Sequence, residues 1–571
     1  MIEKKLGLLR EQLNKHGFGG YIVPSVDEYL SEFTPSFAKR LEYITGFTGS
    51  NGLAMILADT VLFFTDGRYI EQAFTQLDDK LFEVFDQKLL ANFPWEDYLE
   101  SDCIVAYDPK LLTMRALQSF NSISTKPYEE NLIDQQWADQ PAKPSSKIYD
   151  YPTKYAGADY EDKISQCREF LQENDAASLV ITDPDSVCWL LNIRAHDIEF
   201  SPLLLANAII TMENLYLFTD AGRLDSELLR PDVTILDESE FGDTLKQTSG
   251  LILFDVNTCS SYIAELIMAQ KYKQVKNPCL LWKACKNDTE IMHMQQGHVQ
   301  DAVAVCEILS FLASGDVSDL TEYDISEKLT ELRAAREGYV FDSFPTICGY
   351  RENGAIIHYR AQAGSAKKLE ESGLLLIDSG GQYMGATTDI TRTVAIGEKP
   401  SAEHIKYYTK VLKGHIALGQ ATFPEKVITG ANLDILARQY LWNDGRDYPH
   451  GTGHGVGSFL SVHEPPQSIS LFSTKTALEA GMVLSNEPGY YVPGAFGIRI
   501  ENMMYVTKSE HAHFLKFKML TLVPYAKELI DENMLTDAEK LYLKSYYQEI
   551  NHHVSPLLSS AAQQWLKGQI D

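Results

Sequence analysis

The order of hydrophobic and polar positions repeats once in the first half of the chain. Each copy contains a segment with apolar residues at helical spacing, then a short apolar run, then a strand that ends in a Thr-Asp turn. These segments are residues 5–13, 21–23 and 62–68 in the first copy and residues 163–171, 179–181 and 215–223 in the second. The common order predicts a duplicated helix–strand–strand module of roughly 150 residues. Convergent patterning of two unrelated α/β modules is the alternative.

The pattern also predicts where the domains end. Pro, Ser and Lys cluster in residues 140–155, where the periodicity fades, as is typical of a linker. After the second copy, Asn287 can cap a helix with Glu290 at its third position, and residues 291–312 carry an apolar stripe. We therefore expect three domains: two related α/β domains, 1–153 and 154–287, and a third, 288–571, that carries the candidate chemistry.

Composition and charge narrow the class of protein. The chain has 571 residues, with 79 Asp or Glu against 50 Lys or Arg and a formal charge of −29. Such a surface repels phosphate backbones and anionic lipids, which argues against nucleic-acid and membrane binding. No apolar run reaches the ~18 residues of a membrane span, and the charged residues 1–6 are unlike a signal peptide. The eight cysteines lack CxxC spacing, as is typical of reduced thiols, so we expect a soluble cytoplasmic protein.

A first predicted hairpin places two aspartates opposite each other. Residues 374–378 form an apolar strand that ends at Asp378, and residues 387–394 form a β-branched strand that contains Asp389. A hairpin centred between Tyr383 and Met384 would set the aspartates directly opposite each other, with Cβ atoms ~4.5–5.5 Å apart. Two like charges that face each other destabilise a sheet unless something neutralises them.

A second predicted hairpin repeats this arrangement. Residues 482–487 and 497–501 form strands around a loop whose midpoint is Gly494, so Glu487 and Glu501 are also expected to face each other. Ionised carboxylates buried without partners cost several kcal/mol per group. They could take up protons or hold divalent cations, and four carboxylates exceed what one compact cation usually needs. The natural interpretation is a site for two bridged metal ions.

Histidines accompany the acid pairs. The segment HGTGHGVG, residues 450–457, has four glycines in eight positions and so predicts a close-packed strand or loop rather than a helix. It carries His454, and His463 follows nine residues later, while His358 lies in a short apolar run upstream. A single histidine is more often structural, but the association with the acids favours ligands. An oxygen-rich site with one imidazole suits Mn²⁺, Co²⁺, Mg²⁺ or Fe²⁺.

The motifs around these residues resemble a known family. The strings IDSGGQYMGATTDITRT, HGTGHGVGSFLSVHE and NEPGYYVPGAFGIRIEN are similar to the metal-binding pattern of the pita-bread metallopeptidases. Outside the site, TDGRYIEQA, CWLLNIRAHDIEFSP and LTLVPY resemble the cytosolic-type Xaa-Pro aminopeptidases, or aminopeptidases P, of that family. The resemblance implies two creatinase-like α/β domains followed by a pita-bread α+β catalytic domain, with a manganese-type dinuclear centre. It also implies a homodimer, to which a predicted amphipathic helix over residues 536–547 could contribute instead of packing on its own domain.

The implied activity is removal of the N-terminal residue from peptides with proline at the second position, by a hydroxide that bridges two metal ions. The implied metal ligands are Asp378 on one ion, Asp389 and Glu501 bridging both, and His454 and Glu487 on the second. Glu487 would also carry the proton to the leaving nitrogen. His358 and His463 would contact the substrate, beside His454, and stabilise the oxyanion.

Two arginines receive roles as well. Arg499 lies two residues before Glu501 on one strand face, so it would orient the acidic ligands or act only as a buried counter-charge. Arg68 matches an arginine placed near the peptide in the family. The alternative for Arg68 is a structural salt bridge under the repeated turn, because Arg223 occupies the equivalent turn of the second copy.

Other activities stay open at this point. A prolidase has the same catalytic domain but cleaves only Xaa-Pro dipeptides, whereas the duplicated front half and the long C-terminal segment favour the aminopeptidase. A methionine aminopeptidase does not need such preceding domains. Non-catalytic pita-bread proteins that bind peptides, histones or RNA typically lack the ligands, and creatinase-type hydrolysis uses no metal. Retention of all five ligands argues against both.

Overall fold

The fold divides into two compact units. The computed structural model describes residues 1–224, 230–315, 317–370, 372–397, 399–472 and 475–570. One unit comprises Met1–Thr153 and Ala158–Cys279, and the other comprises Lys154–Gly157 and Leu280–Asp571. The first unit contains both copies of the repeat, and the second contains the candidate chemistry. The domain borders at residues 153 and 287 stay predictions.

The first copy of the repeat is an α/β module. Leu6, Leu9 and Leu13 lie on one face of its first helix and are buried, and Gly17 ends that helix in the left-handed region with φ 71°. The sheet has the strand order β4-β3-β2-β1-β5-β6. In chain order the elements are α1 (Ile2–His16), β1 (Gly20–Pro24), α2 (Arg40–Thr45), β2 (Leu53–Leu57), β3 (Val61–Thr65), α3 (Ile70–Gln76), β4 (Phe82–Asp86), β5 (Ile104–Tyr107), α4 (Met114–Gln118) and β6 (Ser124–Pro127).

The second copy repeats this topology. Its elements are β7 (Tyr149–Asp150), α5 (Thr153–Ala156), α6 (Tyr160–Glu173), β8 (Ser178–Ile181), α7 (Pro184–Leu191), β9 (Ile193–Arg194), β10 (Asn207–Thr211), β11 (Leu215–Phe218), β12 (Val233–Leu236), α8 (Phe241–Gln247), β13 (Ile252–Phe254), α9 (Ser261–Met268), β14 (Tyr272–Gln274) and α10 (Pro278–Ala284). The sheet order β12-β11-β10-β8-β13-β14 corresponds strand for strand to that of the first copy. Each sheet also has the same succession of antiparallel and parallel pairs. The predicted duplication is therefore confirmed.

The second unit is an α+β domain around several small sheets. Its first helix begins where the sequence predicts, because the Asn287 side chain accepts from the backbone amides of Thr289 and Glu290 in a capping box. The elements are α11 (Asp288–Ser314), α12 (Glu322–Ala334), β15 (Tyr339–Asp342), β16 (Ile347–Tyr350), β17 (Gly373–Ser379), β18 (Gly381–Tyr383), β19 (Ala386–Thr387), β20 (Ile390–Ile396), α13 (Ala402–Gly419), β21 (Thr422–Pro424), α14 (Gly430–Trp442), β22 (Gly453–His454), β23 (Ser468–Ile469), β24 (Val483–Asn486), β25 (Gly489–Val492), β26 (Phe496–Arg499), β27 (Asn502–Lys508), β28 (Phe514–Met519), α15 (Asp537–His553) and α16 (Ser560–Ile570).

Helix α15 begins at the predicted segment, with Thr536 as its cap, and extends further than expected, to His553. Its residues Leu543, Tyr546 and Ile550 are buried in the main core of the unit, so at least this face packs on its own domain. Across the part of the chain that the structure describes, no helix combines the length and the apolar character that crossing a membrane requires.

The first hairpin has a different register from the predicted one. Asp378 is opposite Thr391 in the β17–β20 ladder, and Tyr383 is opposite Ala386 in the β18–β19 ladder. The turn is therefore centred between Met384 and Gly385, one residue later than expected, and Gly385 adopts φ 94°. The prediction that Asp378 and Asp389 face each other directly is wrong. Asp389 instead precedes β20, two residues before the partner of Asp378.

The second hairpin has the predicted register. Gly489 is opposite Arg499 in the β25–β26 ladder, and Asn486 is opposite Asn502 in the β24–β27 ladder. Both pairs are symmetric about Gly494. Glu487 and Glu501 occupy the one interval between the two ladders, so they lie across from each other where the paired strands are interrupted.

The two hairpins allow a test of the turn geometry by Gly→Ala substitution. Gly385 has φ 94° and Gly494 has φ 74°, so alanine strains the backbone at both positions by about 1 kcal/mol. A Cβ atom at Gly385 would lie 2.7 Å from the Cβ of His293, whereas one at Gly494 would meet nothing within 4 Å. We expect Gly385→Ala to lower the Tm clearly more than Gly494→Ala, measured by differential scanning fluorimetry. Equal losses would contradict the crowded turn at Gly385.

Candidate metal centre

The predicted metal-ligating residues come from the ends of neighbouring strands. Asp378 lies on β17, Asp389 lies directly before β20, and His454 ends β22. Glu487 follows β24, and Glu501 separates β26 from β27. The structure brings these side chains together, although they span more than 120 positions in the sequence.

Three of the five residues form a compact cluster. One ligand atom from each of Asp389, His454 and Glu501 lies within 4.8 Å of the others. The Nε2 atom of His454 is 3.5 Å from Oδ2 of Asp389 and 3.6 Å from Oε1 of Glu487. Because Nδ1 of His454 lies 2.9 Å from the carbonyl oxygen of Gly455, the ring can donate there and keep Nε2 as an acceptor for a metal ion.

Glycines let the strand with His454 approach its neighbours. A Cβ atom at Gly453 would lie 2.1 Å from the carbonyl oxygen of Ser485, and one at Gly455 would lie 2.1 Å from that of Glu464. The close-packed backbone that the glycine-rich segment predicts is thus present. The hydroxyl of Ser485 accepts from the His454 amide at 2.9 Å and donates to Glu487 at 3.3 Å.

Three acidic side chains of the cluster have raised pKa values, because they are buried close to one another. Burial raises the pKa of Asp389 well above its usual range, and the charges of Asp378 and Glu487 raise it further. Burial likewise raises the pKa of Glu501, with Asp389 as the next cause. The pKa of Glu487 is also raised by burial, although the charges of His454 and Arg499 oppose this. The carboxylates therefore hold more negative charge together than their protein neighbours balance.

The donor set fits divalent cations. Oδ1 of Asp378 and Oδ1 of Asp389 are buried and have no hydrogen-bond partner among the described residues. Buried carboxylate oxygens without a partner are unfavourable in a protein that holds no ion. Four carboxylates and one imidazole nitrogen match the preference of hard divalent ions for oxygen ligands.

Arg499 is the cation that the protein itself supplies to the cluster. Its Nη2 atom donates to Oδ2 of Asp378 at 2.6 Å and to the carbonyl oxygen of Ile357 at 3.3 Å. Its Nη1 atom donates to the hydroxyl of Tyr491 at 2.8 Å, and its Nε atom donates to the hydroxyl of Thr391 at 3.2 Å. These contacts place Arg499 between the first and the second hairpin.

The predicted substrate histidines lie on the border of this cluster. The rings of His454 and His463 are 4.3 Å apart and nearly perpendicular. His358 directly follows Ile357, whose carbonyl oxygen Arg499 binds. Both His358 and His463 are partly buried. The structure thus places His463 against the predicted ligand His454, and His358 next to a residue that binds Arg499.

Arg68 lies in the first unit, in the turn that follows strand β3. Its guanidinium binds Asp66 at 2.7 Å and lies 4.0 Å from Glu32. Arg223, in the equivalent turn, binds the buried Asp197 at 2.5 Å. Both arginines therefore have an acidic partner within the repeat, and the substrate role of Arg68 stays a prediction.

The sequence did not indicate several residues that hold the site. The hydroxyl of Thr391 donates to Glu501 at 2.8 Å, and Nε2 of His450 lies 2.8 Å from the hydroxyl of Tyr491. Thr391 could have been found from its position two residues after Asp389, because the sequence predicts one strand over both residues. Tyr491 gives no such signal, because it lies in the stretch between the two glutamates without any spacing rule.

A buried ion cluster holds the segment of His463. Its neighbour Glu464 is 3.1 Å from the ammonium group of Lys283 and also binds that of Lys286. All three side chains are almost inaccessible to solvent. Two lysines on one carboxylate give this cluster a net positive charge beside the acidic centre.

Comparison with known proteins agrees with this architecture. The Creatinase/Prolidase N-terminal domain matches residues 5–134 and again, as a second model, residues 139–290. Metallopeptidase family M24 matches residues 292–508, and the C-terminal region of peptidase M24 matches residues 513–571. Two creatinase-like domains are therefore followed by a metallopeptidase domain with its own C-terminal region.

Similar proteins extend over the whole chain. Xaa-Pro aminopeptidase 1 of Dictyostelium discoideum is 37% identical, and the alignment covers 100% of this chain and 96% of that protein. The solved X-prolyl aminopeptidase of Caenorhabditis elegans, described as a cytosolic enzyme with a di-nuclear active site, superposes with a TM-score of 0.93 at 30% identity over 100% of both chains. The prolidase of Pyrococcus horikoshii shares the fold, with a TM-score of 0.52 at 24% identity, over 64% of this chain and 99% of that one.

The domain order and the clustered acids define a metallopeptidase of the pita-bread class. The chain belongs to metallopeptidase family M24 and, within it, to the Xaa-Pro aminopeptidases. The resemblance seen in the sequence motifs is confirmed at the level of the family and of the fold.

The raised carboxyl pKa values predict the pH dependence of the metal-free protein. In the unfolded chain these carboxyls ionise near pH ~4, whereas in the folded, metal-free protein they keep their protons to higher pH. The folded state then binds more protons, so the free energy of unfolding decreases as the pH rises above about 4. Bound divalent ions replace those protons. We expect the Tm gain on adding Mn²⁺ to grow from about pH 5 to about pH 8.

The Asp389→Asn variant is the control for this measurement, because it removes one raised carboxyl and leaves the side-chain size unchanged. Its metal-free form should lose less Tm between the two pH values than the metal-free wild type. If the Tm of the metal-free wild type decreases between these pH values by no more than the Tm of metal-free Asp389→Asn, the assignment of the proton uptake to this cluster is contradicted.

Proposed function

We propose that this protein removes the N-terminal residue from peptides that have proline at the second position. The observation that carries the proposal is the convergence of Asp378, Asp389, His454, Glu487 and Glu501 in a chain that belongs to the Xaa-Pro aminopeptidases. The prolidase alternative has less support, because the chain aligns over its whole length with an aminopeptidase.

The five residues would hold two divalent ions, with manganese as the proposed metal. As the resemblance of the motifs implies, Asp378 would hold one ion, Asp389 and Glu501 would be shared by both, and His454 and Glu487 would hold the second. When bound, such ions lower the pKa of a water molecule and polarise the carbonyl group of the substrate. The unpartnered Oδ1 atoms of Asp378 and Asp389 support this arrangement.

Proton transfer falls to Glu487. Its carboxylate lies 3.6 Å from the His454 nitrogen and is less completely enclosed than that of Glu501, with 19% of the side chain accessible. A carboxylate that lies beside the attacking water can accept a proton and release it again to the leaving group. Glu487 would accept a proton from the attacking water and deliver it to the leaving nitrogen.

The histidines and Arg499 would serve the substrate and the ligands. His358 and His463 stabilise the oxygen on which negative charge develops, and His454 borders the first residue of the peptide. Arg499 fixes the orientation of Asp378 through their 2.6 Å ion pair. Arg68 would contact the peptide, as the resemblance implies, and Arg68→Ala should then raise the KM for Xaa-Pro-Yaa.

A proline at the second position sets the specificity. Its nitrogen carries no hydrogen, so a peptidase that docks its substrate through that N–H loses a contact. The residue before proline is also restricted to extended conformations. A site that recognises the ring and the free amino terminus would accept peptides that other aminopeptidases reject.

The proposal also includes the location of the enzyme and its oligomeric state. A cytoplasmic location has support from the similar C. elegans protein, which is described as cytosolic. A homodimer is implied by the resemblance of the sequence motifs, and in α15 Leu541 is an exposed apolar side chain, 65% accessible. Multi-angle light scattering of the purified protein would measure the mass directly.

Substrate comparison tests the activity. With Mn²⁺ present, we expect rapid release of the first residue from Xaa-Pro-Yaa, little hydrolysis of the dipeptide Xaa-Pro and none of Xaa-Ala-Yaa. Chromatographic quantification of the released amino acid measures all three. Preferential hydrolysis of the dipeptide would indicate a prolidase, and cleavage of Xaa-Ala-Yaa at the same rate would contradict proline specificity.

The ligand set is tested by Asp389→Ala. Losing a bridging carboxylate should abolish metal binding and lower kcat/KM by at least about 10³-fold, since both ions depend on this residue. Metal content is measured by elemental analysis and turnover by the tripeptide assay. Glu532→Ala, an exposed acid of the same unit, is the control and should keep both. Full turnover in Asp389→Ala would refute the assigned centre.

A further inference from the structure

A second carboxylate of this unit is buried outside the acidic cluster. Glu322 begins helix α12 and is completely inaccessible to solvent. Its Oε1 atom accepts from the Tyr350 amide at 2.7 Å and from Nδ2 of Asn353 at 2.9 Å. Its Oε2 atom accepts from the Tyr359 hydroxyl at 2.8 Å and from the Lys367 amide at 2.9 Å. All of these donors are electrically neutral.

These donors belong to one segment of the chain, residues 350–367. The segment forms a short 3₁₀ helix at Arg351–Ala355 and continues in turns, so it has few backbone hydrogen bonds of its own. Arg351 adopts φ 56°, which is unusual for a residue with a side chain. Because Tyr350 and Lys367 are the ends of the segment, Glu322 ties both ends to the start of one helix.

The opposite side of the same segment contacts strand β26. A Cβ atom at Gly497 would lie 1.8 Å from the carbonyl oxygen of Gly354, so the two backbones touch. Nη2 of Arg499 donates to the carbonyl oxygen of Ile357 at 3.3 Å, and the same nitrogen binds Asp378 at 2.6 Å. The segment is thereby connected to a predicted metal ligand.

His358 lies at the junction of these two attachments. Its preceding residue, Ile357, is held by Arg499, and its following residue, Tyr359, is held by Glu322. The residues on both sides of His358 are thus held, Ile357 by its backbone carbonyl and Tyr359 by its side-chain hydroxyl. Loss of the Glu322 carboxylate would release one side and leave the Arg499 contact in place.

We propose that Glu322 is a positioning residue for substrate turnover, which holds His358 in place through the segment 350–367. The inference rests on the proposed function, in which His358 contacts the substrate. The hydrogen bonds of the Glu322 side chain that the structure describes go to Tyr350, Asn353, Tyr359 and Lys367. Its effect on turnover must therefore pass through Tyr359 and the backbone of the segment.

The test is a double-mutant cycle between Glu322→Gln and His358→Ala. Glutamine presents an NH₂ group where the carboxylate accepts from two donors, so at least one hydrogen bond to a charged acceptor is lost. We expect each single variant to lower kcat/KM for Xaa-Pro-Yaa by about 10-fold or more, with metal content unchanged. The kcat/KM of the double variant should lie within about 3-fold of that of the less active single variant. If kcat/KM of the double variant falls by the product of the two single losses, the proposal is overturned.

A second measurement does not depend on activity. Hydrogen–deuterium exchange of residues 350–367 should accelerate in Glu322→Gln, with exchange of the β24–β27 ladder unchanged. Faster exchange combined with an unaltered kcat/KM would also overturn the proposal, because the segment would then be loosened without consequence. A wild type that fails to cleave Xaa-Pro-Yaa would instead refute the proposed function, so the two failures are distinguishable.

Two further variants control for folding. Asp324 is another carboxylate in the first turn of α12, where its side chain accepts from the backbone amide of Thr321 in the capping box. Asp324→Asn removes its charge and should leave kcat/KM unchanged. Tyr359→Phe removes a single hydroxyl from the Glu322 pocket and serves if Glu322→Gln does not fold. It should lower kcat/KM by about 3-fold or more and show the same lack of additivity with His358→Ala.

Discussion

The organisation of this unit follows from the repulsion among its buried carboxylates. Asp378, Asp389, Glu487 and Glu501 meet in a region of low dielectric, where burial and their mutual charges raise the pKa of Asp389 and Glu501. Among the residues that the structure describes, the ion pair of Arg499 is with Asp378. Removing water from unbalanced charges costs several kcal/mol per ion, so the metal-free state must keep protons on some of these groups. Divalent ions relieve the same repulsion and make the protons unnecessary.

The surrounding scaffold is built to resist this repulsion. Each acid lies at or next to the end of a strand, where the ladder fixes its backbone but the side chain can turn toward the others. The glycines of the segment with His454 bring two backbones within van der Waals distance, which leaves no room for the imidazole strand to move away. Thr391 and Ser485 then bind Glu501 and Glu487 with neutral hydroxyls, which orient the carboxylates without consuming their charge.

Much of this arrangement could be predicted from the sequence, and the exceptions have physical causes. The register of Glu487 and Glu501 followed from the symmetry of their hairpin about Gly494, because the pairs on both sides of the interruption keep this centre. The register of Asp378 and Asp389 did not, since Gly385 takes the positive φ position and moves the turn by one residue. Sequence periodicity specifies which face a residue occupies, but the turn decides which residue it meets.

The contacts of Tyr491, Glu322 and Glu464 were beyond prediction for a different reason. Each binds at least one residue that is distant in the sequence, which for Tyr491 is His450, and no local spacing rule relates a tyrosine or a single glutamate to such partners. The repeated module, in contrast, could be recognised because its evidence is local and occurs twice. Long-range polar contacts therefore become visible only once the fold is known.

Two of these contacts share a physical logic. Glu322 and Glu464 each hold a segment that carries one of the predicted substrate histidines, and each has partners outside the acidic cluster. Glu464 is balanced by two lysines, whereas Glu322 is surrounded by neutral donors. A buried carboxylate without such partners near the cluster would compete with the ligands for cations or raise their pKa values further. Saturating these two acids separately lets the protein fix both histidines while the charge of the metal centre is set by its own ligands and Arg499.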